Sequence, residues 1–200
     1  MLAAEFLRAK HAVALPYDRY VATAKPGERP NWDRVYTSTR LTEAQSALVR
    51  SFTRTMPVLV LSGTWCGDCV HQCPLLARIA GSAPPSPQAP SPQARLIDLR
   101  FLDRDAHRDL ADRVMICAGH RVPTVIFMAE DFEFAGLFGD RTLSRYRAIA
   151  ARQLGASCPL PGAPLPPEEH AAMLQEWLDE FERIHLLLRL SPRLRETHRD

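Results

Sequence analysis

The sequence predicts an α/β fold, a small mixed sheet covered by helices, with helical additions at both ends. Three observations carry this. Val58–Leu61 is an all-apolar run bounded by chain breakers, the pattern of a buried central strand. Strand-like and helix-like stretches follow one another as strand–helix–strand–helix–strand–strand–helix, the order of a sheet with helices laid on it. Beyond a Pro-rich link, an amphipathic segment supplies a last helix.

The elements read as follows. Leu2–Ala14 is a short helix, and Tyr17–Thr39, with Pro26, Gly27 and Pro30, is a segment ordered only by docking. Thr42 is a good N-cap, with Gln45 three residues on and Leu48, Val49 and Phe52 sharing a face. That helix is expected to run to about Met56, because Pro57 follows. After the strand at Val58–Leu61 comes a helix over Cys66–Ala80. Ser82–Gln93 is a low-complexity, Pro-rich loop, expected to be extended and solvated. Leu96–Leu102 reads as a strand and Asp105–Val114 as a helix. Thr124–Met128 and Phe132–Phe138 read as strands joined by a tight turn at Glu130–Asp131, and Thr142–Leu154 as a helix. A second Pro-rich link spans Cys158–Pro167. The helix Glu168–Leu190 then carries an apolar stripe of Leu174, Trp177, Leu178, Phe181, Ile184 and Leu188, with two acids in its first turn. The stripe is expected to pack on the chain's own surface.

Composition removes several function classes. The chain has 200 residues, 46% hydrophobic and 24% charged, with 25 Lys and Arg against 23 Asp and Glu. A net charge of +2 gives no reason to expect nucleic-acid or polybasic membrane binding. No run reaches the roughly 18 apolar residues of a membrane helix. Glu5, Arg8 and Lys10 interrupt the N-terminus, which lacks the apolar core of a secretory signal. The expected compartment is the cytoplasm, where thiols are kept reduced. Five cysteines make an odd number, which suits catalytic or metal-binding use better than a disulfide framework.

Cys66 and Cys69 stand where a strand passes into a helix. At a helix N-terminus, free N–H groups and the dipole stabilise a thiolate, lowering a cysteine pKa from about 8.5 towards 7 or below. Cys69 lies about one turn further, on nearly the same face, where it can attack a mixed disulfide formed at Cys66. Gly67 leaves room for substrate, and Trp65 is placed to shield one side of the dithiol.

Trp65-Cys66-Gly67-Asp68-Cys69, Pro74 eight residues after Cys66, Val122-Pro123-Thr124 before a strand, and Gly139 after the last strand together resemble the thioredoxin family. The resemblance covers roughly residues 57–154, and the Pro-rich loop 82–93 accounts for the extra length between Cys66 and Pro123. It implies a thioredoxin-like sheet, a cis Val122–Pro123 bond beside the dithiol, and substrate binding by Val122, Pro123 and Thr124. Two departures stand out. Asp68 replaces the usual proline, and an acid there opposes thiolate formation by like charge. Val60 occupies the place of the family's buried acid.

The expected activity is thiol–disulfide exchange, with Cys66 attacking and Cys69 resolving. The partners are a disulfide-bearing protein or small molecule and an external reductant. No organic cofactor is implied, because the sulfurs carry the chemistry. Cys66, Cys69, Cys117 and His120 also spell a C-x2-C…C-x2-H set, so metal or cluster binding is the first alternative. A non-catalytic interaction module on the same fold is the second. Cys73 is expected to be inert: it lies about 10 Å along the helix from Cys66, beyond the Cα separation of about 7 Å that a disulfide tolerates. His71 is expected to be solvated, and Cys158 incidental. The implied organisation is a helical extension (1–56), a thioredoxin-like domain (57–157), a linker (158–167), and a C-terminal helix and tail (168–200).

Overall fold

A computed structural model describes residues 2–86, 95–153 and 165–199. Four strands form one sheet: β1 (Met56–Ser62), β2 (Ile97–Asp103), β3 (Thr124–Met128) and β4 (Phe134–Gly139). Their spatial order is β2-β1-β3-β4. β1 runs parallel to β2 and antiparallel to β3, and β3 pairs antiparallel with β4, so the sheet is mixed. Every residue of β1 is buried, as its unbroken apolar run requires of a central strand.

The helices are α1 (Ala4–Val13), α2 (Tyr17–Val21), α3 (Arg29–Ser38), α4 (Glu43–Arg50), α5 (Gly67–Ser82), α6 (Arg108–Ala111), α7 (Leu143–Gln153), α8 (Pro167–Leu190) and α9 (Pro192–His198). α5 runs across the molecule with α3, α4 and α8 packed against it. The expected stripe of α8 is buried at all six positions, and Phe181 meets Phe127 of β3 edge-on at 5.2 Å between ring centroids.

Several expectations need correction. Tyr17–Thr39 is largely helical, as α2 and α3. Pro30 sits in the first turn of α3, where its missing N–H costs nothing. Tyr20, Trp32 and Phe101 of β2 pack as rings 5.3–5.9 Å apart, which anchors the segment. The Thr42–Gln45 capping box forms as expected. Its helix nonetheless stops at Arg50: the Thr53 N–H bonds the His185 ring at 3.0 Å, and the Met56 N–H already joins Leu96 across the sheet. The helix expected over Asp105–Val114 shrinks to α6, because the Asp103 carboxylate accepts from the N–H groups of Asp105 and Ala106 and ties them into a turn. Phe132 adopts a left-handed φ of 72° in the turn, so β4 begins at Phe134. Most of the Pro-rich loop 82–93 and of the link 158–167, with Cys158, lies outside the described residues.

His71 is also corrected: it is buried, because α3 and α8 cover that face of α5. Burial pulls its pKa down to about 4, with Arg145 acting in the same direction. His185 of α8 is likewise lowered to about 4, mainly by burial, and its ring accepts the Thr53 N–H, which needs a neutral nitrogen. The unfolded chain therefore binds more protons than the folded one between the ordinary histidine pKa and about 4. The contribution of these two sites to stability is full above about pH 6.5 and is lost as the pH falls through that window, by about a few kcal/mol for the two together. Urea unfolding midpoints at pH 7 and 5 are expected to show the drop, and His185→Gln to reduce it; equal midpoints would contradict it.

Candidate active site

β1 ends at Ser62, and the chain passes through Gly63, Thr64 and Trp65 to Cys66, the N-cap of α5. The Cys66 N–H bonds the Gly63 carbonyl at 3.0 Å, and the buried Trp32 indole donates to the Thr64 carbonyl at 2.9 Å. This short loop is thus pinned from both sides before the first cysteine. Trp65 is 51% exposed, and the Arg104 guanidinium lies 4.8 Å from its ring centroid. Arg104 also donates to the His120 carbonyl at 3.1 Å, linking the tryptophan to the segment that precedes Pro123.

Both cysteines of the pair carry free thiols. Cys66 is half-buried and Cys69 fully buried. The Cys66 sulfur lies 3.7 Å from the Val122 carbonyl oxygen, and the Val122–Pro123 bond is cis. The loop named from sequence therefore lies against the dithiol. Thr124 is buried, and its hydroxyl donates to the Arg121 carbonyl at 2.8 Å. Behind the loop, Gly139 has a φ of +139°, and a Cβ there would stand 2.3 Å from the Pro123 carbonyl oxygen, so only glycine fits.

A family model described as thioredoxin matches residues 14–150. The chain belongs to the thioredoxin family. Among solved structures, a protein of unknown function from Pseudomonas aeruginosa is similar at 17% identity and a TM-score of 0.65, covering 92% of this chain and 97% of that one. An HIV epitope scaffold is similar at 18% identity and a TM-score of 0.58, covering 88% and 95%. The oxidised mitochondrial thioredoxin 3 of Saccharomyces cerevisiae is 23% identical over 52% of this chain and 86% of its own, with a TM-score of 0.32. The first two likenesses show the fold alone. No curated protein matches the chain in sequence.

Within this family member the electrostatics of the thiols differ from expectation. Cys66 is pushed up rather than down. The hydrogen bond it shares with the Cys69 sulfur holds its proton, and burial and the nearby thiol add to this, with Asp68 contributing least. Cys69 is raised as well, chiefly by burial. The two sulfurs titrate as a pair, and the first proton lost belongs to both.

Asp68 opposes the Cys66 thiolate by like charge, as expected, and it is itself met by Arg141 at 2.6 Å and Arg145 at 3.0 Å. Arg145 continues to Glu169 of α8 at 2.8 Å, and Arg152 closes on the same carboxylate. Two guanidinium groups thus neutralise the acid and bind α5 to α7 and α8. Arg141 and Arg145 are four residues apart, a spacing that puts both on one side of a helix start, but nothing in that spacing named Asp68 as their partner.

The alternative metal set does not assemble. Among the described residues no three His, Cys, Asp or Glu side chains gather as ligands. Cys117 is exposed in a left-handed conformation (φ 50°), and His120 is engaged by Asp112 at 2.6 Å and Arg108 at 3.0 Å. Cys73 is buried on α5, and its sulfur lies 3.6 Å from the Ser62 hydroxyl.

Proposed function

We propose that this thioredoxin-family chain is a thiol–disulfide oxidoreductase that reduces disulfides in the cytoplasm. Its substrates are disulfide-bearing proteins or small molecules, and an external dithiol donor restores the Cys66–Cys69 pair. The observation that carries this reading is the arrangement of Cys66. It stands at the N-cap of α5, one turn before Cys69, and its sulfur lies 3.7 Å from the carbonyl oxygen of Val122 beside Pro123. An extended substrate segment can pair with that carbonyl while its disulfide meets Cys66.

In the first step the Cys66 thiolate attacks one substrate sulfur. A Cys66–substrate disulfide forms, and the other substrate sulfur leaves and takes up a proton. In the second step Cys69 attacks the Cys66 sulfur and releases the remaining substrate thiol. The substrate gains two electrons and two protons, and the dithiol becomes a disulfide. In this reading Trp65, directly before Cys66, shields one side of the pair, and Val122, Pro123 and Thr124 receive substrate on the other.

The test is direct. The reduced protein is equilibrated with glutathione buffers of graded potential, free thiols are alkylated, and the peptides are mapped by mass. Loss of alkylation at Cys66 and Cys69 together, with faster reduction of insulin disulfides by dithiothreitol, is the expected result. Independent alkylation of the two cysteines at every potential, with no acceleration of insulin reduction, would overturn it.

A further inference from the structure

Asp140 stands directly after Gly139, the residue that backs Pro123, and its side chain is buried. Groups from three segments converge on it. The Arg121 guanidinium reaches one carboxylate oxygen, Oδ2, at 3.2 Å, and Arg141 approaches the same oxygen at 3.6 Å. The Tyr146 hydroxyl, from α7, donates to the other oxygen. The Asp140 carbonyl accepts from the Gln72 side-chain amide of α5 at 2.9 Å.

These partners belong to the two halves of the site. Arg121 immediately precedes Val122 and Pro123, and its carbonyl accepts from the Thr124 hydroxyl at 2.8 Å. Arg121 is thus fixed to the substrate loop by its backbone and to Asp140 by its guanidinium. Gln72 lies three residues after Cys69 on the dithiol helix. Arg141 carries a second link to that helix, through Asp68 between the two cysteines at 2.6 Å. One buried carboxylate therefore stands at the junction of the loop and the helix. Burying a carboxylate costs free energy that only good pairing offsets, and an apolar side chain would fill the same space without that cost. A charge kept at such a junction suits the fixing of one segment against another.

We propose that Asp140 is a positioning residue for peptide substrates. Through Arg121 on one side, and Gln72 and Arg141 on the other, it holds Val122 and Pro123 at the distance from Cys66 where a peptide backbone pairs with the Val122 carbonyl while its disulfide meets the sulfur. The inference rests on the proposed disulfide exchange at Cys66. Asp140 touches no reacting atom and takes no part in the transfer of electrons or protons. Its effect is selective. A disulfide carried on a peptide needs the loop in place, whereas a small disulfide without a backbone needs only the sulfur.

Insulin and bis(2-hydroxyethyl) disulfide separate these demands. Protein reduced and freed of reductant is mixed with an excess of either disulfide and quenched in acid, and the loss of the Cys66 and Cys69 thiols is followed by alkylation and mass. Asp140→Asn and Arg121→Gln are each expected to lower the rate constant with insulin about tenfold, the scale of a small misplacement at a reacting centre, and to leave the rate with bis(2-hydroxyethyl) disulfide unchanged. The double variant should lose no more than either single one, because both break the same link. Arg121→Lys, which can still meet the carboxylate, should stay near wild type. Arg121 is part-exposed and makes one contact with Asp140, so Arg121→Gln keeps the fold, and its unchanged rate with the small disulfide reports this. An unaltered insulin rate in both single variants would overturn the proposal. So would equal losses with the two disulfides, which would trace to the thiols and not to the loop, or losses that multiply in the double variant. Wild-type protein that exchanges with neither disulfide would overturn the proposed function, and this inference with it.

Discussion

Cys66→Ser is expected to reduce insulin disulfide reduction to the rate without protein, whereas Cys69→Ser is expected to leave a protein that captures its substrate covalently and cannot release it. The asymmetry comes from placement. Cys66 is half-buried, caps α5, and faces Val122, so it is the sulfur a substrate can reach. Cys69 is fully enclosed and meets polar groups only from inside the protein. Serine at position 66 supplies an alcohol too weakly acidic to form the nucleophile near neutral pH. Serine at position 69 leaves the first attack intact and removes the second. The mixed disulfide should appear on non-reducing gels with Cys69→Ser and be absent with Cys66→Ser. Cys73→Ala should retain turnover, since Cys73 is buried and has no route to substrate. Full turnover by Cys69→Ser would mean that another thiol resolves the intermediate.

The parts of this site that the sequence declares are the local ones. The strand before Cys66, the helix after it and the Thr42 capping box each follow from neighbouring residues: apolar continuity, a motif at a strand end, a cap three residues from its partner. The stripe of α8 is a matter of helical spacing within one segment. Val122, Pro123 and Thr124 were placed by family resemblance, which supplied the long-range contact that spacing alone lacks. What the sequence does not declare near the site is burial and pairing between segments distant in the chain. The partners of Asp68, Arg141 and Arg145, come from a loop and helix more than seventy residues later. His71 looks solvated until α3 and α8 cover it. The end of α4 has a related cause, a hydrogen bond to His185, which lies in the last long helix.

Trp177→Ala is expected to be the most destabilising single truncation on α8. The indole is completely buried, meets Phe138 of β4 edge-on at 4.9 Å between centroids, and donates from its ring N–H to the Gln72 side-chain oxygen at 3.1 Å. Gln72 is itself fully buried on α5 and donates onward to the Asp140 carbonyl at 2.9 Å, just past Gly139. Removing the ring leaves a cavity between α8 and the sheet, which for a buried aromatic costs about 3–5 kcal/mol. It also leaves the Gln72 oxygen buried without a donor, at about 1–3 kcal/mol unless a water enters. Against a total stability of about 5–15 kcal/mol for a domain of ordinary size, that loss is large enough to populate unfolded protein at ambient temperature. Trp177→Phe separates the two contributions, because it fills most of the cavity and removes only the N–H. Urea denaturation followed by far-ultraviolet circular dichroism should give midpoints in the order wild type, Trp177→Phe, Trp177→Ala. A midpoint for Trp177→Ala equal to that of wild type would mean that α8 does not hold the sheet in solution, and that its apolar stripe serves something other than this chain's own core.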